Sequence, residues 1–268
     1  MLVSVIVPSY KQEKTIKKDI QNIHKVMSQT RYRFEIIVVV DGFADKTFDE
    51  AKRVEKRNIR VIGYRINKGK GYAIRYGASL CSGDIVIFID AGMDINANGI
   101  SMVLEHMEWY RADIIVGSKR HPVSKIHEYP LFRRIYSFGY HLIVKALFGV
   151  RVGDTQTGLK VYRREVVDRV FPRLVVKRFA FDIESLAVAN HLGFRRIFEA
   201  PVEINWDFEN TSFKKSAFLF LNPDIRGVFI DTLAIFYRLH FLKYYEDSNK
   251  RNWMKVHKLS GVKSGMRK

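Results

Sequence analysis

The chain has 268 residues, 47% hydrophobic and 28% charged, which is enough apolar side chain for a full core and excludes compositional disorder. Its one cysteine, Cys81, excludes an intramolecular disulfide framework and a cysteine-rich zinc site, and fits a reducing compartment. A formal charge of +18 calls for polyanionic partners; without a helix-turn-helix, an RNP motif or a zinc finger, the expectation is an anionic membrane surface and phosphorylated substrates, and no nucleic acid.

Residues 2–7 read as a first strand, because they lack the basic flank and longer apolar core of a signal peptide; a cytoplasmic protein is the expectation. Residues 35–40, 60–64, 84–89 and 113–116, each largely apolar after a charged first residue, suit further strands buried on both faces. Amphipathic stretches at 14–27, 47–56, 71–81 and 99–110 separate them as helices. This alternation predicts an α/β fold, a Rossmann-like, mostly parallel sheet flanked by helices. Ligands of such sheets bind beyond the carboxyl ends of the strands, which puts the weight on 9–13, 41–45, 67–71, 90–94 and 118–120. A helix over 131–148, a strand at 159–162, a helix at 182–191 and a strand near 197–205 continue the same domain as its acceptor half. The expected organisation is one domain over 1–210, amphipathic helices over 211–246 and a basic tail over 247–268.

At the end of the fourth strand, Asp90 leaves an apolar run and projects a carboxylate into the crevice. A divalent ion held there by carboxylate and phosphate oxygens would neutralise a departing diphosphate; a helix cap or turn is the competing reading of a lone aspartate. The turn Asn67-Lys68-Gly69-Lys70-Gly71 allows backbone to approach phosphate while Lys68 and Lys70 offset its charge, although an ordinary surface turn has the same composition. Arg75, on the helix that follows, is either a phosphate clamp or a solvated helix residue.

Taken in order, these segments resemble family 2 glycosyltransferases of the GT-A type, and within them the polyprenyl- or dolichyl-phosphate glucosyl- and mannosyltransferases, over nearly all of residues 1–210. The motifs are Val5-Ile6-Val7-Pro8-Ser9-Tyr10, Glu35-Ile36-Ile37-Val38-Val39-Val40-Asp41-Gly42, the Asn67 to Gly71 loop, Ile87-Phe88-Ile89-Asp90-Ala91-Gly92-Met93-Asp94 and Gly117-Ser118-Lys119. Asp154-Thr155-Gln156-Thr157-Gly158-Leu159-Lys160 and Phe179-Ala180-Phe181-Asp182-Ile183-Glu184 complete the series. The resemblance implies an inverting hexosyltransferase that takes a hexose from UDP- or GDP-sugar to polyprenyl phosphate, with Mg2+ or Mn2+. It implies that Pro8, Tyr10 and Asp41 contact base and ribose, that Glu13, Lys68, Lys70 and Arg75 belong to the donor site, and that Asp90 and Ala91 lie by the diphosphate and metal. Asp154 and Gln156 would line the reaction centre, Asp154 as base or as orienting group. Lys119, with Arg133 and Ser137 at helical i, i+4 spacing, would hold the acceptor phosphate, Arg134 being the alternative to Arg133.

The sequence departs from the family pattern at three places. Gly92 stands where a D-x-D motif has its second aspartate; Asp94 is the candidate replacement ligand, or Asp90 acts alone with diphosphate oxygens and water. Lys11-Gln12 replaces the usual Asn-Glu pair, and Val40-Asp41 replaces Asp-Asp. A saccharide acceptor and a membrane-associated pseudoenzyme are the alternatives. Aromatic and basic residues from Phe213 to Tyr245 are too interrupted to span a bilayer. Ile225, Val228, Phe229, Thr232, Phe236 and Leu239 share one helical face, which suits a helix lying in the headgroup region or one packed on protein, and the basic tail would add attraction to an anionic leaflet.

Overall fold

The computed structural model describes residues 1–92, 94–127, 131–205 and 223–259, of which 127, 131–136, 205, 223–224 and 255–259 are described as backbone only. Its centre is a seven-stranded sheet in the order β3-β2-β1-β4-β7-β5-β8. The strands are β1 (Leu2–Ser9), β2 (Arg33–Asp41), β3 (Ile59–Tyr64), β4 (Ile85–Ile89), β5 (Ile114–Ser118), β7 (Leu159–Arg163) and β8 (Ile197–Pro201). β7 runs antiparallel to both β4 and β5, and every other pairing is parallel. The sheet is therefore mostly parallel, as expected, and β7 is the strand that joins the two halves.

Because strand side chains alternate, successive apolar residues feed opposite faces. Ile37 and Val39 enter a core with Ile6, Val86 and Phe88, while Ile36, Val38 and Val40 enter a second with Val5, Val7 and Ile87. The second core is covered by α1 (Ile16–Ser28) and α4 (Gly99–Trp109); Ile16, Ile20, Ile23 and Met27 of α1 fall at helical spacing and are buried. The first is covered by α3 (Lys70–Leu80), α5 (Leu131–Phe148), α6 (Arg164–Val170), α7 (Phe181–His191) and α8 (Pro223–His240). The short α2 (Thr47–Lys52) follows β2, and α9 (Lys250–Leu259) ends the described chain.

Three elements differ from the sequence reading. The strand expected over 197–205 is two: Val202 separates β8, which pairs with β5, from β9 (Glu203–Asn205), which pairs with an unexpected β6 (Lys125–His127) in a small second sheet. Helix α6 and the 3-10 turn Phe171–Arg173 also escaped the pattern, because short helices offer little periodicity to read. The third is the orientation of α8. Ile225, Thr232 and Leu239 of the expected face, with Ile235, are buried against the core, which is the protein-packed alternative, and Tyr140 of α5 bonds Thr232 across it; Phe229, expected on the same face, is 43% exposed. Phe229, Ile230, Leu233 and Tyr237 face outward. Phe213, Phe218 and Phe220 lie outside the described residues, as does the tail from 260. No helix among the described residues is long and apolar enough to cross a membrane.

Candidate functional site

The carboxyl ends of β1, β2 and β4 lie side by side, since β1 pairs with both of the others. Pro8 is buried near the end of β1, past the last β1–β4 pair of Ile6 and Phe88, and its carbonyl accepts the Ala91 N–H at 3.5 Å. Tyr10 follows, exposed, with the Lys11 ammonium 5.4 Å from its ring centre. Glu13 and Asp45 tie the neighbouring loops together: Glu13 accepts the Lys46 N–H at 3.1 Å, and Asp45 accepts those of Glu13 and Thr47 at 3.4 and 3.0 Å.

Asp41 has a structural role that the sequence did not show. It is 3% exposed and held by the 67–71 loop, Oδ1 accepting the Lys68 N–H at 2.7 Å and Oδ2 the Gly69 N–H at 2.9 Å. It holds the loop in place. The two loop lysines also separate. Lys68 rests 4.4 Å over the Tyr72 ring and donates to the Tyr72 hydroxyl, whereas Lys70 points to Asp90. Arg75 is neither a clamp nor solvated. It is buried, donates to the Leu174 carbonyl, and lies near the Glu184 carboxylate, while burial holds its pKa below the ordinary value.

Asp90 is fixed through its backbone N–H, which donates to the Gly158 carbonyl at 3.0 Å. Gly158 is required by proximity: a methyl group there would collide with the Asp90 carboxylate. Gly158→Ala should therefore displace Asp90 and lower kcat about 10²-fold, the scale of an ångström-size misplacement, in an assay of donor turnover. An unchanged kcat in a folded Gly158→Ala variant would remove Asp90 from the reaction. Gly92 has φ of +118°, a conformation closed to an L-aspartate without strain, and its N–H is held by Asp19 of α1 at 3.0 Å. The position that lacks the second aspartate thus sits in a turn that favours glycine. Asp94 is half-buried and has an interaction of its own.

From Asp90 a chain of alternating charges runs inward. Lys70 Nζ lies 2.8 Å from Asp90 Oδ2 and 3.1 Å from Asp182 Oδ2. Lys160, 1% exposed on β7, lies 2.6 Å from Asp182 Oδ1 and donates to the Thr157 carbonyl. The Thr157 hydroxyl in turn donates to Asp154, whose Oδ2 is 3.5 Å from Lys119 Nζ. Burial opposes ionisation of Asp154 and Asp182. The Lys119 ammonium with the Thr157 hydroxyl, and the Lys160 and Lys70 ammonium groups, outweigh it and keep both carboxyls below the ordinary range. Asp182 and Lys160 were not singled out from the sequence. The readable signal was a charge inside the apolar run Leu159-Lys160-Val161-Tyr162, which requires a buried partner without saying which.

Beyond Lys119, Arg120 donates to Ser137 Oγ at 3.1 Å and lies 5.5 Å from the ring centre of Phe138, which is 55% exposed. The side chains of Arg133 and Arg134 lie outside the described residues; among the described residues the guanidinium bonded to Ser137 is that of Arg120. Gln156 is half-buried, and its N–H supports Asp154 Oδ1 at 3.1 Å.

Among the described residues no group of three or more His, Cys, Asp or Glu is gathered as a metal site. Asp90 Oδ1, however, is screened from solvent and accepts no hydrogen bond, so it has coordination capacity for a cation. The donor set fits a hard divalent ion that takes its remaining ligands from phosphate and water.

A mostly parallel sheet with a carboxylate beyond its fourth strand and an antiparallel strand inserted beside it is the GT-A arrangement. Glucosyl-3-phosphoglycerate synthase from Mycobacterium tuberculosis, solved with Mn2+, UDP-glucose and phosphoglyceric acid, aligns with a TM-score of 0.64 over 88% of this chain and 79% of that one, at 19% identity. The chain belongs to glycosyl transferase family 2, whose family model matches residues 4–171. Its relatives include dolichyl-phosphate beta-glucosyltransferases from Dictyostelium discoideum, 30% identical over 76% of this chain, and Homo sapiens, 31% identical over 76%. The chain spans 65% of the first and 66% of the second.

Proposed function

We propose that the protein transfers glucose from UDP-glucose to the phosphate of a polyprenyl lipid such as dolichyl phosphate, with inversion at the anomeric carbon. The observation that carries this reading is the Arg120 guanidinium set between Ser137 and the exposed Phe138 ring, with exposed Leu142 and Ile143 further along α5: a phosphate-binding cation opens onto an apolar face. Such a surface suits a phosphate with a hydrocarbon chain better than a sugar. The names of the relatives and the nucleotide sugar bound by the solved neighbour favour the same substrates.

Protonation favours the phosphate acceptor as well. A phosphate monoester is ionised near neutral pH and needs orientation more than a strong base. A sugar hydroxyl would need a base, and Asp154 and Asp182, held as carboxylates below their ordinary range, are poor ones. In this reading Lys119 and Arg120 orient the acceptor, and Asp154 positions Lys119. Asp90, through Oδ1, would hold the divalent ion that neutralises the leaving diphosphate.

The outward Phe229, Ile230, Leu233 and Tyr237 of α8, with Phe138, Leu142 and Ile143 of the neighbouring α5, would seat the protein on an anionic leaflet, helped by the charge of +18. Phe229→Glu with Leu233→Glu should weaken partition onto phosphatidylserine-containing vesicles about 10²-fold or more, since each apolar side chain contributes roughly 1.5–3 kcal/mol when buried. Unchanged co-sedimentation would exclude this face. Function is tested by incubating the protein with dolichyl phosphate and labelled UDP-glucose and following label into the organic phase. Label in a water-soluble saccharide instead, or transfer from GDP-mannose alone, overturns the assignment.

A further inference from the structure

We propose that Lys70 is a built-in counter-ion that makes divalent-metal binding at Asp90 conditional on the donor diphosphate. The inference rests on the reading of Asp90 as the diphosphate and metal residue. Lys70 bridges Asp90 and Asp182 at 2.8 and 3.1 Å, and its side chain is only 15% exposed. It is the first residue of α3, where the helix dipole opposes a cation, so the carboxylates and not the helix account for its place.

Its two partners differ. Asp182 keeps a second ammonium, Lys160, at 2.6 Å. For Asp90, Lys70 is the one ammonium placed on the carboxylate among the described residues, and Oδ1 is left without a donor. A metal ion arriving alone must therefore share Asp90 with a positive charge already seated on Oδ2. It also finds no second carboxylate at position 92, where the turn has φ of +118°. A diphosphate changes both conditions. Its negative charge supplies oxygen ligands to the metal and draws the Lys70 ammonium off Asp90 Oδ2. Lys70 then moves its charge from carboxylate to phosphate, and Asp182 remains neutralised by Lys160. Metal and diphosphate should bind as a coupled pair, and each should bind weakly alone.

The test is Mn2+ binding to the full chain, followed by electron paramagnetic resonance of free Mn2+, with and without UDP. Wild type should bind Mn2+ weakly alone and at least about 10-fold more tightly with UDP, within the range usual for coupled sites. Lys70→Met should bind Mn2+ alone about 10-fold more tightly than wild type and lose most of the UDP enhancement. Lys70→Arg should retain the wild-type pattern. Because Asp182 keeps Lys160, the Met variant should fold, which circular dichroism checks; Lys70→Gln serves the same purpose should it not. A folded Met or Gln variant that binds Mn2+ no more tightly than wild type overturns the role of Lys70. Asp90→Asn separates the two ideas: if it leaves the Mn2+–UDP coupling intact, the assignment of Asp90 itself falls, whatever Lys70 does.

Discussion

On the proposed function, Asp90→Asn should lower kcat for glucosyl transfer about 10²–10³-fold, the scale on which one preorganised charge-stabilising group acts. The side chains are nearly isosteric, and the backbone bond from residue 90 to the Gly158 carbonyl does not depend on the carboxylate, so β4 and its exit turn should persist. Lys70 retains Asp182 at 3.1 Å, so no buried ammonium is stranded. What disappears is the negative charge able to hold a divalent ion where the diphosphate leaves. The effect should fall on kcat more than on the KM for the lipid, whose phosphate is assigned to Lys119 and Arg120. Steady-state kinetics with a thermal melt of each protein checks this. A variant within about threefold of wild type, against the 10²-fold expected, would dismiss the catalytic role of Asp90. A large loss of melting temperature would assign the defect to folding instead.

Much of the sheet could be read from the chain because buried parallel strands are unbroken apolar runs, and residues 2–7, 35–40 and 84–89 have no competing pattern. The antiparallel course of β7 was not readable, since direction depends on partners far away in sequence. Ile87 pairs with Val161 and Ile115 with the same residue, contacts that no local period encodes. The site divides in the same way. Asp90 and Lys70 were singled out because each ends or follows a strand. Arg75 was misjudged, and the loop contacts of Asp41 went unread, because residue type cannot distinguish an exposed ligand from a group that satisfies the protein's own interior. The apolar set on α8 was found as a face except for Phe229, which points outward, but a face suited to a membrane is equally suited to a core. The burial of Thr232 and Ile235 decides it.

The largest stability effect should come from Asp182→Asn. Lys160 is 1% exposed, and beside Asp182 its Nζ donates to the Thr157 carbonyl, which carries no charge to balance it. Removing one partner of a buried ion pair costs about 3–5 kcal/mol. At about 2–4 °C per kcal/mol for a chain of this size class, the melting temperature should fall by roughly 10 °C. The pH dependence identifies the cause. Burial already holds the Lys160 pKa below its ordinary value, even with Asp182 present, and loss of that carboxylate lowers it further. Between the depressed native pKa and the unfolded value of about 10.4, the unfolded chain binds more protons, so stability rises with pH. The deficit of the variant should therefore be greatest near neutrality and shrink as pH approaches 10, the window set by the unfolded value. Urea unfolding at several pH values measures it. A deficit independent of pH would mean that Asp182 acts through hydrogen-bond geometry alone. Adding Lys160→Met to the same chain removes the stranded charge and should restore most of the loss, because an apolar replacement of a buried pair is often neutral. Recovery in the double variant and none in Lys160→Met alone would establish that the alternating charges behind Asp90 are needed as a set and have no stabilising value one by one.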